Sequence, residues 1–215
     1  MSARVRTLAR AAGPRTGRFH LRLLTLVVAA APLACAGRSA APGSGPPPPP
    51  LQLRGTTVML FPVPAPAPTR IDRELEFWLT DRAPQAEWVL ADELRRVVER
   101  TPGWRLRLDA LPPGIADIGG GNLRVRDPLF GDLRRLAAVT DAGYAVLPLS
   151  VAAVADTAAS AAGGFATALQ LTVALADARS GRVVWLGTVR GEGAADSEAR
   201  RAASVAEALA RALLR

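Results

Sequence analysis

The sequence predicts an α/β fold of the α+β type, in which a mixed parallel and antiparallel sheet with a C-terminal hairpin is faced by helices. An apolar run at Thr57–Val63 has the length of a strand and suits one buried on both faces. Large apolar residues occupy alternate positions in Leu169–Leu175, and Val183, Trp185 and Val189 continue the pattern, which predicts an antiparallel hairpin. Helical segments alternate with short strands before it, an order that calls for parallel pairing.

The first half of the folded part predicts two helices and a short strand. Thr69 and Asp72 have capping-box spacing for a helix running to about Asp81. Trp88–Leu90 predicts a second strand, and Asp92 is the expected cap of a helix that stops before the next proline. The apolar positions of these two helices are Ile71, Leu75, Trp78, Leu79, Leu94, Val97 and Val98.

Periodicity fails between residues 101 and 126, which predicts an irregular insert. Trp104–Leu108 alternates and is a candidate edge strand, and Trp104 is the one tryptophan that invites a binding role as well as a core role. Gly119–Gly121 lacks the following Lys and Ser/Thr of a phosphate-binding loop, so we interpret it as flexible loop.

The remaining elements restart after this insert. Asp127 is the expected N-cap and Pro128 the first residue of a third helix, with Leu129, Leu133, Leu136 and Ala137 at helical spacing. Tyr144–Leu149 predicts a strand that precedes the hairpin. Residues from about Ala195 to Leu214 predict a closing helix, whose inner stripe is Ala202, Val205, Ala206, Leu209 and Leu213.

The first 34 residues have the features of a signal peptide. Six arginines and no acidic residue precede an uncharged run of 15 residues, Leu23–Gly37, which is shorter than the roughly 20 residues that span a membrane. The run ends in Ala34-Cys35-Ala36, for which two cleavage sites compete. Cleavage after Ala36 at an A-x-A site would leave Gly37 as the N-terminus. Alternatively, the segment resembles the lipobox of bacterial lipoproteins, in which Cys35 is acylated, although Pro32 departs from that pattern.

We expect residues 35–55 to form a proline-rich tether and residues 56–215 to form a single α/β envelope domain. Pro46–Pro50 favours an extended polyproline II spacer. The arginines of the leader account for most of the formal net charge of +8, so the basic balance does not predict nucleic-acid binding. Cys35 is the only cysteine, so the domain forms no internal disulfide and depends on a packed core.

Several catalytic chemistries are excluded by composition. The only histidine, His20, lies in the leader, and the chain contains no lysine. This excludes Ser-His and Cys-His nucleophiles, Schiff-base lysines and His- or Cys-ligated metals from the domain, and we expect neither a cofactor nor a metal. The remaining chemistry is that of carboxylates, for which the candidates are Asp72, Glu74, Glu76, Asp92 and Glu93. Solvated helix faces explain these acids more simply, so we expect no enzymatic activity.

Three segments resemble a family of bacterial envelope α/β domains: Val58–Val63, Asp141–Leu147 and the hairpin Leu175–Trp185, whose turn reads Asp-Ala-x-x-Gly before a strand that ends in Trp. The family includes the amino-terminal domain of the Tol-system translocation protein, the curli secretion lipoprotein and the lipoprotein activators of penicillin-binding proteins. The resemblance implies a periplasmic or lipid-anchored protein that binds or assembles with other proteins. It assigns no partner-binding residue.

Together these features predict an exported protein, anchored to the outer membrane through a lipid on Cys35, that acts in the periplasm as a non-catalytic protein-interaction or assembly domain. The expected partners are envelope proteins and the membrane itself. Two alternatives remain open at the level of sequence. One is a carboxylate-dependent hydrolase of envelope polysaccharide, and the other is a soluble periplasmic small-molecule binder with a pocket at Trp104.

Overall fold

The computed structural model describes residues 53–68, 70–104, 106–108, 122–155, 167–192 and 197–214, and the backbone of 115–117. The signal peptide, Cys35, most of the tether and Gly119–Gly121 therefore lie outside the described residues. The elements are β1 (Thr57–Leu60), α1 (Ile71–Arg82), β2 (Glu87–Val89), α2 (Ala91–Arg100), β3 (Ile115–Asp117), β4 (Leu123–Val125), α3 (Leu129–Thr140), β5 (Tyr144–Ala155), β6 (Thr167–Asp177), β7 (Val183–Arg190) and α4 (Glu198–Leu213).

The main sheet has five strands in the order β2-β1-β5-β6-β7. β1 pairs in parallel with both β2 and β5, whereas β5, β6 and β7 pair antiparallel with their neighbours. The predicted mixed sheet with a C-terminal hairpin is therefore confirmed.

Both faces of the sheet are covered by helices. Val58 and Leu60 share a core cluster with α1 and α4, while Met59 and Phe61 share a second cluster with α2 and α3. All four side chains are at most 1% exposed, which confirms that β1 is buried on both faces. The predicted inner stripe of α4 is also buried in full.

The region between residues 101 and 126 is more regular than predicted. Trp104–Leu108 is not a strand at its described positions, whereas β3 and β4 pair antiparallel as a separate two-stranded sheet. This small sheet is tied to the start of β7, since the Val125 N–H donates to the Gly181 carbonyl over 2.8 Å. Three-residue strands are too short to produce a periodic sequence signal, which is why the pattern did not predict them.

The helix starts differ from the predictions by one or two residues. α1 has Arg70 rather than Thr69 as its N-cap, and α2 has Leu90 rather than Asp92, in both cases without a side-chain cap. The extended backbone of Leu90 lets α2 begin two residues early, so Asp92 lies in the first turn, where negative charge is still favourable. α3 has Pro128 rather than Asp127 as its N-cap, so the predicted start was wrong by one residue, although Asp127 Oδ1 still accepts from the Gly131 N–H over 3.1 Å.

Candidate functional site

The strand β5 changes its surroundings along its length. Its first residues, Tyr144 to Val146, lie between β1 and β6, and the last bond to β1 runs from the Phe61 N–H to the Val146 carbonyl over 3.0 Å. β5 then continues to Ala155, six residues beyond the predicted end at Leu149. Among the described residues, only β6 pairs with that second half.

The departure of β1 from β5 has an identifiable cause. Alternate residues of a strand direct their N–H groups to the same side, so Val63 is the next donor after Phe61 that would reach β5. The Val63 N–H donates instead to Asp72 Oδ1 over 2.9 Å. Pro62 and Pro64 have no N–H to offer. Asp72 therefore marks the place where β1 ends, and within the described part of the chain the second half of β5 has no strand partner on that side.

Pro148 and an irregular register lie at the transition. The pairing with β6 shifts between Pro148 and Ser150, which places one extra residue, Leu149, in β5. Proline is tolerated in a sheet where its missing N–H would face an unpaired edge or a bulge. Pro148 is two residues beyond Val146, so its nitrogen lies on the side that β1 has left. Both features fit a strand that passes from the centre of the sheet to its edge.

The direction of the backbone groups beyond Pro148 follows from β6. The Leu169 carbonyl accepts from the Gly191 N–H over 2.9 Å, so Leu169 directs its backbone towards β7 and away from β5. Its partner across the pair, Ala153, therefore directs its own N–H and C=O away from β6. The same alternation applies to Val151 and Ala155. We call these three residues the free edge of β5.

One group of the free edge has a described partner. Arg190 Nη2 donates to the Ala155 carbonyl over 3.0 Å at the end of the strand. A carbonyl oxygen has two lone pairs, so this contact leaves room for a second hydrogen bond.

Apart from the contact of Arg190 with the Ala155 carbonyl, the described residues give the free edge little of the usual protection against pairing. β5 contains no charged residue, and beyond Pro148 it contains no proline. Ala152, Ala153 and Ala155 are exposed, and Val151 and Val154 are half-buried. Natural edge strands are commonly blunted by charges, prolines or a covering element, because unpaired N–H and C=O groups invite another strand. The free edge is therefore our candidate interaction site.

Three of the five candidate carboxylates, Asp72, Glu76 and Asp92, lie near one another. Arg95 contacts Asp92 Oδ1 over 2.6 Å and lies 4.0 Å from Asp72 Oδ2. Burial raises the pKa of the nearby Glu76 carboxyl, and the negative charges of Asp92 and Asp72 raise it further. Arg95 pairs with two of these carboxylates, and Asp72 also accepts a hydrogen bond from the Val63 N–H. The cluster therefore has a structural explanation.

The other two carboxylates do not enter these contacts. Glu93 is exposed in the first turn of α2, and Glu74 is half-buried on α1. Within the described part of the chain, no group of three or more His, Cys, Asp or Glu side chains is placed to hold a metal ion.

Trp104 packs partly buried against the core cluster of α2 and α3. Two clefts among the described residues are lined by Arg134, Ala137, Ala138, Asp141 and Arg179, and by Arg82, Ala210, Arg211 and Leu214. No helix in the described ranges is long and apolar enough to cross a membrane.

The fold and the site define a mixed α/β sheet domain with one uncharged, half-paired internal strand. No protein-family model and no curated protein matches the chain. Two solved structures of PelC from Paraburkholderia phytofirmans are similar at 15% identity, each covering 80% of this chain and 96% of that one. The TM-scores are 0.42 for a dodecamer that carries one substitution, in space group C2, and 0.40 for the dodecamer in space group P6. Likenesses at this level do not assign a function.

Proposed function

We propose that this chain is an exported cell-envelope protein, anchored by a lipid on Cys35, that acts as a non-catalytic protein-interaction domain. The observation that carries the proposal is the free edge of β5, at Val151, Ala153 and Ala155. A partner chain would add a strand there. Such augmentation derives affinity from main-chain hydrogen bonds and needs no catalytic side chain.

The positions of the chemically reactive side chains along the chain support a binding role. His20 and Cys35, the side chains suited to nucleophilic or metal chemistry, both lie near the N-terminus and outside the folded domain. The clustered carboxylates Asp72 and Asp92 are paired with Arg95. In contrast, the exposed alanines of β5 offer backbone groups and methyl groups, which are suited to strand pairing.

The leader and the tether support the proposed location. A signal peptide over residues 1–34, followed by Cys35, would deliver the domain to the periplasmic side of the envelope, and the resemblance to envelope α/β lipoproteins implies a periplasmic or lipid-anchored protein. The spacer that ends in Pro46–Pro50 would hold the domain away from the lipid surface at up to about 3.1 Å per residue.

Site-specific photo-crosslinking tests this proposal. A photoreactive amino acid is placed at Ala152 of the full chain in the native envelope, and the same probe at Ala138 on the exposed surface of α3 is the control. We expect one reproducible protein adduct from position 152 and none from position 138. If position 152 gives no protein adduct after complete photolysis, the edge is not a binding site and the proposal fails.

A further inference from the structure

We propose that the partner of the free edge is a second copy of this chain, which pairs antiparallel through Val151–Ala155 about a two-fold axis at Ala153. This inference rests on the proposed function, because it names the partner of the same edge. The resulting dimer would join two five-stranded sheets through their β5 strands.

The backbone directions define the register. Val151, Ala153 and Ala155 present their N–H and C=O groups on the same side. In an antiparallel pair centred on Ala153, each Ala153 faces its copy, and each Val151 faces an Ala155 of the other chain. All three facing pairs are then of the hydrogen-bonded type, which gives six inter-chain bonds. Moving the centre to Ala152 would keep only two such pairs, so the register at Ala153 satisfies the most backbone groups.

The side chains of the edge are compatible with a copy of themselves. Like charges placed opposite one another destabilise strand pairs, and a two-fold axis always places a residue near its own copy. The strand from Tyr144 to Ala155 contains no charge, so its own side chains do not repel their copies. A described charge at this edge is that of Arg190, which contacts the Ala155 carbonyl two residues from the axis. The facing side chains are two methyl groups at the axis and a valine opposite an alanine on each side. None of them is large enough to hold the backbones apart.

The same composition argues against selection of a foreign strand. Specificity in strand addition comes from pockets and charges that recognise alternate side chains of the partner. Among the described residues, the side chains of Ala152, Ala153 and Ala155 supply only methyl groups, which offer no charge or hydrogen bond by which to distinguish one extended segment from another. A second copy needs no such selection, because the lipid anchor would concentrate identical chains on one surface.

A two-fold contact also limits growth. Pairing uses the same edge on both copies, so each dimer consumes the two free edges and closes. The outer strands of the joined sheet would be β2 and β7, of which β7 is accompanied by the small β3–β4 sheet through the contact of Val125 with Gly181. We therefore expect a dimer rather than an open fibre.

Sedimentation of the full chain carrying Cys35→Ser in detergent tests the stoichiometry. We expect the protein mass to rise with concentration from that of one chain, 22.5 kDa, to twice that value and no further. Ala153→Lys places two like charges at the axis and should weaken association at least tenfold. The control, Ala138→Lys, adds the same charge on α3 and should leave association unchanged. Circular dichroism establishes that each variant is folded.

Ala153→Pro provides a second variant in case the lysine disturbs folding. The Ala153 N–H faces away from β6, so proline removes an inter-chain donor without removing a bond to β6. Association should fall with the thermal midpoint nearly unchanged. A chain that stays monomeric at all concentrations, a dimer indifferent to both substitutions, or a mass that grows without limit would each overturn the inference.

Cysteine crosslinking tests the register. Cys35 is the only native cysteine, so Ala153→Cys in the Cys35→Ser chain carries one thiol. A short bis-maleimide should convert most of this variant to a dimer, and the matched Ala138→Cys chain should stay monomeric.

The two proposals fail separately. If position 152 crosslinks in the envelope to a different protein while the purified chain is monomeric, the self-pairing inference is wrong and the interaction function stands. If position 152 crosslinks to no protein at all, both fail.

Discussion

At the scale of single residues, Asp72 has more influence on the architecture than its sequence pattern indicates. Its spacing from Thr69 predicts a role in starting α1, yet its carboxylate binds the N–H of Val63 outside the helix. This bond ends the pairing of β1 with β5. The carboxylate is therefore a structural group with a consequence for the candidate site, and its substitution provides a measurable test.

Asp72→Ala should lower the free energy of unfolding by about 1–2 kcal/mol, because the half-buried Val63 N–H loses a charged acceptor. Urea unfolding monitored by circular dichroism measures the change. Asp92→Ala is the control, because the Asp92 side chain is 80% exposed and its ion pair lies at the surface, so the change should stay within about 0.5 kcal/mol. Equal effects of the two substitutions would contradict the role assigned to Asp72.

Glu76 gives the domain a pH dependence of unusual sign. Burial, Asp92 and Asp72 raise the pKa of its carboxyl above the ordinary value of 4.5, against the opposing charges of Arg95 and Arg73. An acid whose pKa is higher in the folded state binds more protons when folded, so its contribution to stability falls as pH rises from about 4.5 through the folded pKa. Ionisation of this carboxyl therefore opposes folding.

Glu76→Gln should therefore raise the urea midpoint at pH 7, because it removes an unfavourably placed charge. The difference from the natural chain should disappear at about pH 3, where the natural carboxyl is protonated in both states. Glu99→Gln, an exposed position on α2, is the control and should show no such pH-dependent gain. A midpoint at pH 7 that falls on substitution would contradict this assignment.

At the scale of elements, β5 combines two environments that require different sequences. Its first half is a central strand, in which Val146 and Leu147 are at most 1% exposed. Its second half is exposed and rich in alanine, and it gains its strand structure from pairing with β6. β7, at the edge of the sheet beyond β6, differs in carrying a large buried ring, that of Trp185.

Trp185→Ala should cost about 3 kcal/mol, because the ring is only 7% exposed in the core cluster of α1 and α4. Thermal or urea unfolding measures the loss. An unchanged melting temperature would mean that the ring does not contribute to the core.

Gly187→Ala tests the same packing from the backbone side. A Cβ at Gly187 would overlap the Trp185 ring, so the substitution should destabilise the domain by about 1–3 kcal/mol. Gly131→Ala is the matched control, since its Cβ would meet only Asp127 Oδ1 at 3.4 Å within α3, where alanine is the better helix former by up to about 1 kcal/mol. We therefore expect Gly187→Ala to lower the free energy of unfolding and Gly131→Ala to raise it. A loss at both positions would contradict the packing argument.

At the scale of the whole molecule, the proposed anchor and the proposed pairing reinforce one another. Chains tethered at Cys35 would share a surface, which raises their effective concentration relative to free chains. Anchoring would therefore strengthen a strand contact that the unanchored chain forms only at higher concentration. The location of the chain is therefore part of its proposed mechanism.

The intact mass of the protein, purified in detergent from its native envelope, tests the anchor. We expect a mass that begins at Cys35 and includes acyl additions, and Cys35→Ser should abolish those additions. A mass that begins at Gly37 would show cleavage after Ala36 and make the chain a soluble secreted domain.

The sequence by itself determined the elements whose signal is local. β1, the β6–β7 hairpin and the inner stripe of α4 follow from apolar periodicity, which records burial directly. The free edge of β5 was decided by the tertiary structure. It depends on the Val63 N–H binding Asp72 instead of β5, and on Ala152–Ala155 pairing with β6. Exposed alanines carry no alternating pattern and little strand propensity, so only the partner strand makes them a strand.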